Sequence, residues 1–330
     1  MDATTLIVLF IAVSLLFDFL NGFHDSANIV ATMIASGAMG PRMALVVASA
    51  AEFAGPFLFG VAVASTIGTE IVAPEAITIG VLLAALGSAI VWDIVTWYFG
   101  IPSSSSHALI GGLIGAAVAA GDWSHVQASG LEKVAFALFA SPILGMAMGW
   151  LLMRLILFLA RGASPKVNTL FKRAQILTSI GLALSHGTND AQKTMGIITS
   201  ALVILRFQDS FAVPWWVIFL CAGAISLGIA TGGWRIIKTL GAGFFRIRPI
   251  HGLAAQATSA GVILGAALLG GPVSTTQVVS GAIMGVGSAE RLSKVRWGLA
   301  QNLVVAWLVT IPASLLLAVL FYWVIGHFVP

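Results

Sequence analysis

Two short polar motifs lie in an otherwise apolar chain, and each occurs twice. Residues 21–28 read NGFHDSAN and residues 186–193 read HGTNDAQK, which sets Gly22 opposite Gly187 and Asp25 opposite Asp190 at an offset of 165 residues. Residues 101–115 read IPSSSSHALIGGLIG and residues 271–285 read GPVSTTQVVSGAIMG, at an offset of 170. Two related halves therefore each carry a carboxylate motif followed by a hydroxyl motif. Duplicated polar breaks in apolar helices are what a membrane transporter needs at its substrate site.

The carboxylate motifs call for a cation. Asp25 and Asp190 sit within long apolar stretches, where an ionised acid costs about 2.5–3.5 kcal/mol on insertion scales. Gly22 and Gly187 let the backbone leave helical geometry cheaply, and Asn or Asp at the following helix start would cap it. Such a break frees backbone carbonyls beside the carboxylate and amide oxygens, a set of oxygen ligands that suits a hard cation. The competing reading is that the two aspartates only cap kinked helices. Lys193 falls opposite Asn28 in the alignment of halves, and it either pairs with Asp190 or meets an anion directly.

The hydroxyl motifs call for an anion. Ser103 to Ser106, and Ser274 with Thr275 and Thr276, each follow a proline and precede a helix of small residues. Hydroxyls and free N–H groups would then project from a helix N-terminus, an end that carries roughly half a positive charge and binds oxyanions. Two such ends from opposed halves could grip one tetrahedral anion. The alternative is an ordinary N-cap at the membrane interface. Beyond each tip comes a GxxxG, Gly111 with Gly115 and Gly281 with Gly285, which is read as helix packing. Three further acids fall inside apolar runs: Glu52, with the better claim to cation or proton binding, Asp93 beside Trp92, and Asp18 just before the first motif. Gln256 is read as a ligand or a helix-to-helix hydrogen bond.

The elements that must position these residues are membrane helices. The chain is 59% hydrophobic and 8% charged over 330 residues, with a mean hydropathy of +1.02, whereas soluble domains are about one quarter charged. The net charge of +4 does not mark a nucleic-acid binder, because the basic residues are scattered in short loops. The one cysteine, Cys221, excludes an internal disulfide. The start of the chain lacks a basic segment of signal-peptide type, so the first apolar run is expected to stay as a helix.

Ten apolar runs approach the length of a bilayer crossing, with 103–120 and 276–287 short enough to be half-helices or re-entrant hairpins and the first and sixth runs interrupted at 21–28 and 185–193. Placing the N-terminus outside puts most of the 16 lysines and arginines on the cytoplasmic face. The expectation is an all-α integral membrane protein of about ten to twelve transmembrane segments with both termini outside. It would be an inverted-topology duplication with discontinuous helices: residues 1–160, a cytoplasmic linker 161–173, and residues 174–330.

The segments GFHDSAN, HGTNDAQKTMG, PSSSSHALIGG and GPVSTTQVVSGAIMGVGSAERLS, in that order, resemble the signature segments of the inorganic phosphate transporter (PiT) family, and the short middle loop resembles its prokaryotic members. The resemblance implies a secondary carrier of phosphate driven by sodium or proton gradients, in the cell membrane. It implies that Asp25, Asn28, Asn189 and Asp190 are cation ligands and that Ser104, Ser105, Ser106, Ser274, Thr275 and Thr276 hold phosphate. The sequence departs from the commoner pattern at His24, at Gln277 where the first half has His107, and at Gln192 and Lys193.

The expected activity is thus symport of inorganic phosphate with Na+ or H+ by alternating access, with no catalysis, no nucleic acid and no cofactor beyond the coupling ion. A sulfate permease of the same fold stays open, as does, more remotely, an ion channel. An intramembrane hydrolase built on Ser103 to Ser106 and His107 is disfavoured, since the second half has Gln277 in place of the base. Small-residue helix faces are compatible with a homodimer.

Overall fold

The computed structural model describes residues 2–325. All regular elements among these residues are helical: α1 (Ala3–Ala35), α2 (Pro41–Leu58), α3 (Ala62–Thr69), α4 (Ile79–Phe99), α5 (Ser105–Ala120), α6 (Ala128–Leu159), α7 (Val167–Ile204), α8 (Trp215–Thr231), α9 (Trp234–Ala242), α10 (Pro249–Leu268), α11 (Thr275–Glu290) and α12 (Trp297–Ile325). The protein is a multi-pass membrane protein. Five helices, α1, α4, α6, α10 and α12, are long and apolar enough to cross a bilayer, and the bent pairs α2–α3 and α8–α9 raise the number to seven.

The exterior is oily, and the acids lie inside, among two apolar core clusters. Phe136, Phe139, Ile143 and Leu159 on α6 stand 67–76% exposed, while Asp18, Asp25, Glu52, Asp93 and Asp190 are all buried. Lipid rewards that arrangement, because acids inside a membrane protein turn toward its centre.

Helix lengths recur along the chain. The run is 33, 18, 8, 21, 16 and 32 residues for α1 to α6, then 38, 17, 9, 20, 16 and 29 for α7 to α12. Packing recurs with it: α6 lies on α11 as α5 lies on α12, and α1 lies on α8 as α2 lies on α7. α7 begins at Val167, within the segment 161–173 that joins the two runs of helices.

The hydroxyl motifs fall at chain reversals, as their prolines require. Gly100 ends α4 at φ 67° and Gly270 follows α10 at φ 70°, a left-handed conformation that glycine adopts without penalty. Pro102 and Pro272 come next and cannot continue a helix in register. Ser104 then caps α5 through the His107 N–H at 3.2 Å, and Ser274 caps α11 through the Gln277 N–H at 3.3 Å. At 16 residues each, α5 and α11 are about 24 Å long, short of the roughly 30 Å hydrocarbon core.

The carboxylate motifs do not interrupt their helices. Both α1 and α7 run unbroken through 21–28 and 185–193, contrary to the expected half-helices. Gly22 and Gly187 serve close approach instead. A Cβ on Gly22 would lie 2.1 Å from the Ile225 carbonyl oxygen of α8, and one on Gly187 would lie 2.4 Å from the Glu52 carbonyl oxygen of α2. The sharp bends come elsewhere, 77° between α2 and α3 and 70° between α8 and α9. The GxxxG residues pack as expected, with Gly115 against Leu315 of α12 and Gly285 against Met146 of α6.

Candidate functional site

The two carboxylates meet at the centre of the helix bundle. Thr275, in the first turn of α11, places its Oγ1 3.1 Å from Asp25 Oδ2 and 3.2 Å from Asp190 Oδ2, so one hydroxyl faces both acids. Thr276 donates to the other oxygen of Asp25 at 3.2 Å and accepts from the Asn28 amide at 3.0 Å. The tip of α11 thus rests directly on α1 and α7, which explains why a helix N-terminus points into the bundle: its partial positive charge meets two carboxylates.

The tip of α5 closes the other side. Ser106 accepts from Lys193 Nζ at 2.5 Å and donates to the Val273 carbonyl at 3.3 Å, so the two hydroxyl tips touch. Lys193 also donates to Asp190 Oδ1. The pairing with Asp190 is one of the two fates expected for Lys193, and its contact with Ser106 also sets it at the hydroxyl tip. Among the described residues, Ser105 Oγ is buried without a hydrogen-bond partner, and so is the Asn189 side-chain oxygen, whose amide nitrogen donates to the Gly271 carbonyl at 3.2 Å.

Two histidines complete the site, and sequence reasoning gave neither a role. His186 Nε2 stands 3.6 Å from a carboxylate oxygen of Asp25 and 3.6 Å from one of Asp190, while its Nδ1 lies 2.8 Å from Glu52 Oε1. His186 is four residues before Asp190 on α7, the helical spacing that puts two side chains on one face, and this was the available signal. His24 Nδ1 lies 3.0 Å from Asp25 Oδ1, and its Nε2 is 3.3 Å from both Thr96 and Ser103 hydroxyls. In the first half, then, one imidazole ties the carboxylate motif to the foot of the hydroxyl motif.

Single ligand atoms of Asp25, His186 and Asp190 lie within 4.8 Å of one another, a spacing that admits one cation between the two carboxylates. Glu52 does not face that point directly; it orients His186, as outer partners commonly orient an inner ligand. Asp18 accepts from Thr194 at 2.9 Å and ties α1 to α7. Asp93 is 2% exposed, with neither oxygen hydrogen-bonded among the described residues.

Gln256 accepts from Thr178 at 3.1 Å and donates to the Ile29 carbonyl, next to Asn28, at 3.3 Å, a helix-to-helix hydrogen bond of the kind that one of its two expected readings gives it. Gln192 likewise belongs to the scaffold. It accepts from the N–H groups of Val63 and Ala64 at 2.8 and 3.2 Å and donates to the Gly60 carbonyl at 2.7 Å, holding the bend between α2 and α3. The His107 ring makes no hydrogen bond to the neighbouring serines among the described residues.

With this geometry in view, the chain was compared with known proteins. Residues 21–166 and 159–318 match the profile of a family described as phosphate transporters. The chain is 43% identical to a probable low-affinity inorganic phosphate transporter of Bacillus subtilis (strain 168), over 97% of each chain. It is 46% identical to a protein of the same description from Rhizobium meliloti (strain 1021), over 98% of each. A solved structure, the sodium-dependent phosphate transporter, superposes with a TM-score of 0.89 at 24% identity, covering 98% of this chain and 100% of that one, and so shares its fold.

Proposed function

The chain belongs to the phosphate transporter family, and from that premise we propose that it symports inorganic phosphate with Na+ or H+ across the cytoplasmic membrane by alternating access. The coupling cation binds at Asp25 and Asp190, with Asn28 and Asn189 beside them, and phosphate binds at the facing tips of α5 and α11. The observation that carries this reading is the single point where acids of α1 and α7 and hydroxyls of α5 and α11 converge.

Electrostatics gives the coupling. Two uncompensated carboxylates would repel an oxyanion strongly where the effective dielectric is low. Thr275 and Thr276 now spend their protons on those carboxylates. A cation held between Asp25 and Asp190 would take over that charge and release both hydroxyls toward phosphate, alongside Ser105 and Ser106. Ser104 and Ser274 fix the first turns as caps, so that the free N–H groups beyond them point at the anion. Cation first, phosphate second is the order this imposes.

Alternating access follows from the duplication, read here as two inverted halves, 1–160 and 174–330, in ten to twelve transmembrane passes with both termini outside. The recurring helix lengths and the exchanged packing of α5 on α12 and α6 on α11 support it. Each hydroxyl tip is carried on a short helix packed against the other half, and rocking one pair against the other would expose the shared site to each side in turn.

The test is uptake by purified protein in liposomes, with labelled phosphate and labelled sulfate offered separately and sodium and pH gradients imposed one at a time. Phosphate accumulation driven by one of the gradients is expected. Uptake that is gradient-independent and non-saturable would identify a channel, and preferential sulfate uptake would reassign the substrate.

A further inference from the structure

The two halves of the site repeat in geometry but differ in charge. Asn28 and Lys193 are counterparts at the 165-residue offset, each three residues past its aspartate, and Ser106 and Thr276 are counterparts at the 170-residue offset. Each of the first pair crosses to the opposite half's tip: Asn28 Nδ2 donates to Thr276 Oγ1 at 3.0 Å and Lys193 Nζ donates to Ser106 Oγ at 2.5 Å. Asn28 brings a neutral amide. Lys193 brings an ammonium that also donates to Asp190 Oδ1, and it is 1% exposed.

We propose that Lys193 is a tethered coupling cation, which permanently neutralises Asp190 and leaves a single mobile cation to serve the pair of carboxylates. The inference rests on the transport reading above. Before an oxyanion can approach, the charge of both acids must be compensated. A mobile ion does this by mass action and its contribution falls with its concentration. A lysine does it at every concentration, so Asp190 calls for no second mobile ion.

The hydrogen-bond pattern fits the same role. Asp190 Oδ1 is taken by the ammonium, while Oδ2 faces His186 and Thr275, the two groups that also reach Asp25 Oδ2, which puts the free coordinating edge on the side shared with Asp25. Ser106, accepting from Lys193, keeps its own proton to donate; it now goes to the Val273 carbonyl, and an arriving oxyanion would replace that partner. The lysine thus fixes which way the serine hydroxyl points.

The experiment measures ion-to-phosphate stoichiometry in liposomes, from the gradient at which net phosphate flux reverses, for the wild type and Lys193→Asn, which gives the second half the amide of the first. Sodium and proton gradients form separate arms. The substitution should raise the stoichiometry by one cation and steepen the dependence of uptake on that cation. An unchanged stoichiometry with a raised phosphate KM would overturn the proposal and make Lys193 a phosphate ligand only.

If Lys193→Asn carries no measurable flux, the doubly neutral Asp190→Asn/Lys193→Met variant decides. Removing both members of a compensated pair is tolerated far better than removing one, so the double variant should take up phosphate at least about tenfold faster than Asp190→Asn alone. Equal loss in the two would sink the proposal. Absence of phosphate uptake by the wild type would instead remove the transport reading itself.

Discussion

Asp25 and Asp190 occupy equivalent places in the repeat, yet replacing each by asparagine should have unequal effects on stability. Asp190→Asn strands the Lys193 ammonium, which has no other carboxylate within ion-pair distance among the described residues and is almost fully buried. Breaking a buried pair in this way costs about 3–5 kcal/mol. Asp25→Asn leaves its partners better provided for, since His186 keeps Glu52 at 2.8 Å and Asp190 at 3.6 Å and His24 keeps the Thr96 and Ser103 hydroxyls at 3.3 Å. Its neighbours are two threonine hydroxyls and two imidazoles, and an isosteric amide keeps one acceptor for them, so the loss is nearer 1–2 kcal/mol. The difference of about 1–4 kcal/mol should place the Asp190→Asn melting temperature roughly 2–16 °C below that of Asp25→Asn, at 2–4 °C per kcal/mol. Tryptophan fluorescence during a thermal ramp in detergent reads it, and both variants should lose gradient-driven phosphate uptake in liposomes. The reasoning fails if the two melt together within about 2 °C, or if Asp25→Asn is the less stable.

Three other outcomes follow from the same contacts. Gly22→Val, whose Cβ would sit 2.1 Å from the Ile225 carbonyl oxygen, should abolish recovery of monodisperse protein on size-exclusion chromatography, whereas Gly261→Ala, with nothing within 4 Å, should not; equal recovery would deny the close crossing of α1 and α8. Glu52→Gln removes the carboxylate on His186 Nδ1, and the half-saturating concentration of the coupling cation should rise by about 10- to 100-fold, with an unchanged value refuting an orienting role. Gln192→Ala frees two N–H groups and a carbonyl at the α2–α3 bend, so chemical denaturation should show a loss of about 1–3 kcal/mol with phosphate-over-sulfate preference intact; a changed preference would mean that this amide reaches the substrate.

Much of the site was legible because polarity in an oily chain has few uses. Asp25, Asp190, the serines and the threonines declared themselves by being duplicated, and the prolines and glycines at 100–102 and 270–272 marked the reversals that make α5 and α11 separate short helices. What could not be read was the course of α1 and α7. A run such as NGFHDSAN looks like a break because every residue in it but Ala27 is a weak helix former. The helix persists because partners on other helices meet its polar groups: Thr275 and Thr276 at Asp25, Thr276 at Asn28, and the Gly233 N–H at Ser26. Glycine was equally ambiguous, since the same residue that permits a kink also permits contact between backbones, and only Ile225 lying against Gly22 decides between them. Nor did sequence foretell His186, which is one polar residue among many until its two ring nitrogens are seen spanning Glu52 and the two aspartates.

The persistence of α1 and α7 has a mechanical consequence. As rods of 33 and 38 residues, they measure about 50 and 57 Å, and each bears its acid roughly two thirds of the way along. A rod pivoting near such a point acts as a seesaw. A shift of an ångström or two at the acid sweeps the far end through a larger arc, so news of what sits at the core reaches both membrane surfaces at once, through stiff main chain and without any loop having to relay it.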